Sequence, residues 1–173
     1  EAAIMSDSGR LLEVRDLHVR FLTRDGVVSA VNGMSFTLDA GETIAILGES
    51  GSGKSVTAQA IMGILPSKTA TIPQGSIRYR GTELVGLRER DYRQLRGAKI
   101  AMVFQDALSA LNPVTSVGRQ VSEMFRVRGD MSRRQAKAAA IEVMSHVGIP
   151  DPARRFGDYP HQFSGGMRQR VMI

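Results

Sequence analysis

The chain has 173 residues, 42% of them hydrophobic and 23% charged, a balance that suits one soluble globular domain with its own core. It has no cysteine, which excludes disulfides, thiolate metal sites and thiol catalysis; no tryptophan and only 5% aromatics argue against base-stacking platforms for single-stranded nucleic acid. The formal charge is +6, with arginines gathered at 88–96, 126–134 and 168–170; it reads as a solvated face broken by Glu89 and Asp91, not as a nucleic-acid footprint.

Residues 1–5 read as an artificial remnant ahead of the domain, and no basic region followed by an apolar core marks a secretory signal. Leu11 to Phe21 is strand-like, with Val14, Leu17 and Val19 among polar residues. Asp25-Gly26 signals a turn, and Val27–Leu38 alternates at Val31, Phe36 and Leu38, so the two segments predict an antiparallel hairpin. Thr43–Leu47 is apolar on both faces, as a central parallel strand would be, and Lys99–Phe104 is a second buried-strand candidate. Neither apolar stretch is long enough to cross a bilayer. A helix is expected from Lys54 to Leu65, closed by Pro66, and a short strand at Ser76–Arg80.

Beyond Asp106 the pattern turns helical. Ser116 is placed to cap a helix carrying Val117, Val121, Met124 and Phe125 on one face. Ser132 and Gln135 fit a capping box opening a helix with Ala136, Ala139, Ala140, Val143, Met144 and Val147, stopped by Gly148 and Pro150. The expected division is a mixed α/β core over 6–106 and a helical part over 107–173.

Gly48-Glu-Ser-Gly-Ser-Gly-Lys-Ser55 matches the phosphate-loop pattern G-x-x-x-x-G-K-[ST]. Glycines let the backbone curl around phosphates so that successive N–H groups converge on the anion, and the following helix adds the positive end of its dipole. In that geometry Lys54 reaches the outer phosphates and the Ser55 hydroxyl ligates Mg²⁺. The setting between an apolar segment and a helix is the one the mechanism demands, whereas Gly51-Ser-Gly53 lacks the third glycine of a dinucleotide loop.

Two further segments narrow the class. Phe163-Ser-Gly-Gly-Met-Arg-Gln-Arg170 resembles the ABC signature, usually LSGGQ, and Met102-Val-Phe-Gln-Asp106 resembles the Q-loop of the same family. Gln105–Pro113 and Tyr159–Val171 are similar to the oligopeptide/dipeptide importer ATPases, a group that includes nickel and glutathione importers. The resemblance runs from Leu11 to Ile173; Phe163 and Met167 depart from the general signature in a way familiar in this subgroup.

The resemblance implies a P-loop NTPase fold of the α/β class, an ABC ATPase core of antiparallel hairpin plus parallel sheet with a helical subdomain, here truncated. It implies ATP held by Gly48, Glu49, Ser50, Gly51, Ser52, Gly53, Lys54, Ser55 and Val56, with Phe21 stacking on adenine. Lys54 and Gln105 would serve catalysis, and Ser55 and Gln105 the Mg²⁺. Phe21 is otherwise simply a hydrophobic residue at a strand end. The signature residues Ser164, Gly165 and Gly166 would act in trans on nucleotide bound by a second ABC ATPase subunit, in a homo- or heterodimer. The helical part would dock on transmembrane permease subunits, placing the protein peripherally on the cytoplasmic face of the membrane.

In such a family the Walker B aspartate, the catalytic glutamate and the switch histidine follow the signature helix. The 173 residues carry none of them, so they are expected to bind nucleotide without turning it over, and to self-associate through an unpaired sheet edge. A soluble ABC ATPase acting on nucleic acid or ribosomes is the alternative; its marks, zinc-binding cysteines or a coiled-coil insertion, are absent from these residues.

Overall fold

The structure, a computed structural model, describes residues 10–104, 110–129 and 131–173. The chain divides between Met102 and Val103 into two compact units.

The first unit is built on the expected hairpin. Strands β1 (Arg10–Thr23) and β2 (Gly26–Asp39) pair antiparallel, and β3 (Ala70–Tyr79) and β4 (Thr82–Glu83) complete a sheet of order β2-β1-β3-β4. Strand β1 is interior to the sheet, and its core residues are Val14, Leu17 and Val19. A strict two-residue alternation cannot put both Val14 and Leu17 on one face. The strand solves this with an irregularity between them, where Asp16 takes a left-handed φ of 44°. The Asp16 N–H donates to Ser35 Oγ at 2.8 Å, and its carboxylate accepts from Gln74 and lies 3.1 Å from His18 Nε2. Hydrogen bonds to Gln74 and His18 hold that carboxyl below its usual range. Opposite it, Gly75 leaves no room for a side chain: a Cβ would lie 2.5 Å from the Asp16 carbonyl oxygen.

Helix α1 (Lys54–Ile61) packs on the sheet through Ala60 and Val56, with Ile77, Tyr79, Leu84 and Tyr92 closing the core. It is shorter than Lys54–Leu65 because Gly63, at φ 61°, turns the chain, and the Ile64 N–H returns to the Gln59 carbonyl at 3.0 Å. A second short helix, α2 (Glu89–Leu95), follows β4.

The two segments expected as buried parallel strands depart from that reading. Residues 42–49 and 101–104 form no strand, and Leu47 is 90% and Val103 58% exposed. Apolar character on both faces suits a strand with a neighbour on each side; among the described residues the only parallel pairing is the single Arg96–Ile100 bridge.

The second unit is helical. Helix α3 (Val117–Arg128) has Ser116 at its N-cap, yet the hydroxyl does no capping. The Val117 and Gly118 N–H groups instead reach the Asp158 and Phe156 carbonyls at 2.8 and 3.1 Å. Gly118 is what admits that approach, since a Cβ would meet the Phe156 ring at 2.3 Å. Helix α4 (Arg133–His146) opens on the expected capping box, with Ser132 and Gln135 each bonding the other's N–H. Helix α5 (Pro152–Arg155), a 3₁₀ turn at Pro160–Gln162 and helix α6 (Gly165–Met172) follow. Val117, Met144, Ile149 and Phe163 form the core of this unit.

Candidate functional site

The loop leading into α1 is shaped by its glycines and one lysine. Gly51 and Gly53 have φ of 85° and 87°, a region side chains disfavour. Gly53 is also buried under β2, where a Cβ would lie 2.4 Å from the Ala30 carbonyl oxygen and 3.1 Å from Val31. Backbone sterics and a close approach therefore both require glycine there. Below it the Thr57 hydroxyl donates to the Gly53 carbonyl at 3.0 Å and lies 3.3 Å from Met34 Sδ.

Lys54 folds its side chain into the loop. Its Nζ donates to the Gly48 and Glu49 carbonyls at 2.7 and 2.6 Å and approaches Ser52 Oγ at 3.2 Å. The first turn of α1 has no acidic residue to oppose the ammonium and the positive helix end. Ser50, Ser52 and Ser55 are exposed along this stretch, and Val56 is half-buried against the core. A curled loop with two left-handed glycines and a cation inside its span fits a polyphosphate.

The far end of α1 is held as firmly. Arg96 donates to the Met62 and Gly63 carbonyls at 2.7 and 2.6 Å, and its Nη1 reaches both Glu89 oxygens at 2.9 and 3.1 Å. The guanidinium lies 4.7 Å from the centroid of Tyr92, whose hydroxyl burial pushes up. Neither Ala30 nor Arg96 stands out in the sequence, because each acts on a segment more than twenty residues away.

Phe21 pairs with Val28 on β2 and Ala70 on β3 and is half-buried. It stands two residues along β1, about 7 Å, from Val19, the partner of the Val31 that touches Gly53. Gln105 lies outside the described residues. Ser164 caps α6, its hydroxyl accepting from the Met167 N–H at 3.3 Å. Gly165 and Gly166 are exposed in the first turn, and a Cβ at either would meet nothing within 4 Å. Among the described residues no group of three or more His, Cys, Asp or Glu could hold a metal, and no helix is long and apolar enough to cross a membrane.

Solved structures place this architecture. The dimeric structure of MJ0796, titled a bacterial ABC transporter cassette, superposes with a TM-score of 0.79 at 24% identity, over 94% of this chain and 67% of that one. The same cassette in a post-hydrolysis state bound to ADP and Pi gives 0.77 at 22% identity over 93% and 66%. CbiO1 of Clostridium perfringens, part of the transporter complex cbiONQ, gives 0.68 at 26% over 95% and 60%. The fold is that of an ATP-binding cassette.

The ABC transporter family profile matches residues 31–173, and the chain belongs to that family as an ATP-binding domain. Among curated relatives, the dipeptide transport ATP-binding protein DppD of Bacillus subtilis is 49% identical over 95% of this chain and 49% of its own length. The oligopeptide transport ATP-binding protein OppD of the same organism is 49% identical over 95% and 46%. OppD of Haemophilus influenzae is 46% identical over 94% and 50%. The chain thus spans about half the length of the curated relatives it matches.

Proposed function

We propose that the chain is the nucleotide-binding part of an ABC importer ATPase that couples ATP binding and hydrolysis to uptake of peptides or a related small solute. The observation that carries this reading is the Gly48–Ser55 loop, with Lys54 drawn between the Gly48 and Glu49 carbonyls and Gly53 pressed beneath β2. The names of the relatives support the peptide class.

In this reading residues 6–106 form the nucleotide-binding core and 107–173 a helical subdomain ending in the signature. Gly48–Val56 hold the phosphates of ATP, Lys54 neutralises the outermost of them, and Phe21 covers adenine. Ser55 and Gln105 hold Mg²⁺, which when bound spreads and neutralises charge on the phosphate oxygens. Ser164, Gly165 and Gly166 face a nucleotide bound by a second ATPase subunit. The bare surroundings of the two glycines support this, since nothing among the described residues demands small residues there. Permease subunits anchor the assembly on the cytoplasmic face of the membrane.

These 173 residues bind nucleotide without turning it over: beyond Asp158 they hold no acidic residue, so no carboxylate follows the signature to orient water. Nucleotide affinity and phosphate release, measured together with Mg²⁺ on the chain and on Lys54→Ala, test both parts. The expected result is binding weakened about tenfold or more by the substitution, and no steady release from either protein. Equal affinities would sink the phosphate-loop reading. Release that depends on Lys54 would sink the claim of no turnover.

A further inference from the structure

In the second unit a cleft of about 490 Å³ collects cations that have no counterion among the described residues. Arg119 and Arg126 of α3 and Arg133 and Lys137 of α4 line it, and among the described residues no acidic one does. Among the described residues none of the four joins an ion pair, whereas Arg10, Arg15, Arg88, Arg93, Arg96 and Arg155 all do. The Lys137 ammonium is held over the Phe156 ring, 5.2 Å from its centroid, which fixes it at the cleft wall. Ser116, also on the lining, sits at the N-cap of the 12-residue α3 without using its hydroxyl as a cap, so a neutral donor stands beside the positive helix end.

Like charges spaced i, i+4 on one helix and i, i+7 on the other repel, and the fold gains nothing by keeping them together unless something negative joins them. Three of the four are guanidinium groups, whose forked donors match tetrahedral oxyanions two bonds at a time. The volume suits a compact ligand. We propose that this cleft binds phosphate groups carrying two or more negative charges, the chemistry shared by an anionic phospholipid headgroup and a soluble polyphosphate. The proposal does not depend on the nucleotide reading of the first unit.

Binding is measured in the Lys54→Ala background, which weakens any phosphate binding at the loop. The probes are pyrophosphate by calorimetry, and vesicles of phosphatidylcholine with or without phosphatidic acid by flotation. The expected result is saturable binding of at least one phosphate probe that falls about tenfold or more when Arg119 and Arg126 are changed to Gln, with unchanged thermal unfolding because both side chains are exposed. Vesicle binding without pyrophosphate binding assigns the lipid source; the reverse assigns the soluble one. Binding that survives both R119Q/R126Q and R133Q/K137Q, binding of neither probe, or poly-glutamate binding equal to pyrophosphate charge for charge would each overturn the proposal.

Discussion

Glu13 is buried in β1, and Arg10 and Arg15 both reach its Oε1 at 2.6 Å. Burial alone would raise its carboxyl; the two guanidinium groups outweigh burial and hold it below the ordinary range. A depressed folded-state pKa favours folding above the unfolded value near 4.3, and that contribution disappears as pH falls through the folded value. Glu13→Gln is therefore expected to lower stability at pH 7 by about 1–2 kcal/mol and to flatten the loss of stability below about pH 4.5. Urea unfolding across that range checks it, and an unchanged acid limb would clear Glu13 of the role. Glu83 adds to the same limb: burial opposes ionisation, but Ser76, two backbone N–H groups and Arg78 outweigh it. At this scale the sequence made Gly48–Ser55 legible because the loop's chemistry is local. It hid Asp16 and Arg96, whose roles arise only when a bulge or a partner tens of residues away is in place; Glu13 has its partners two and three residues away, and only its burial in the sheet makes them matter.

Helix α3 turns on one residue. Alanine normally improves a helix over glycine by about 1 kcal/mol, but at Gly118 the added carbon would meet the Phe156 ring at 2.3 Å and its carbonyl oxygen at 2.6 Å. Gly118→Ala is expected to destabilise the second unit by about 1–3 kcal/mol, with the first unit's unfolding unchanged; hydrogen exchange resolved by segment distinguishes the two. The elements also show what periodicity can report. The hairpin and α4 carried their own instructions: a turn dipeptide, alternating apolar residues and a capping box. The segments 43–47 and 99–104 carried only a preference for company on both sides, and a preference does not reveal whether neighbours are present. Helix α2, charged along most of its length, carried only Tyr92 and Leu95 as a periodic signal, too short to stand out.

Across the whole molecule the consequence is exposed apolar side chains on unpaired backbone. Ile44 and Leu47 in the first unit, and Val103 and Phe104 in the second, face solvent on segments without ladder partners. Concentration-dependent association is expected by light scattering, reduced by Leu47→Glu; a monomer at every concentration would refute it. The loop that follows Leu47 inherits this asymmetry. Its end at Gly53 is clamped by β2 and Thr57, while its entry over 42–49 is held by no sheet. In the proposed nucleotide-binding reading, a phosphate ligand orders that entry as it binds, and fixing each residue costs about 1–2 kcal/mol of conformational entropy. In that reading the strength of the contacts and the net affinity are different quantities. Part of the proposed interaction is absorbed in ordering the chain, so a neighbouring strand laid against 43–47 is expected to tighten nucleotide binding without touching the nucleotide.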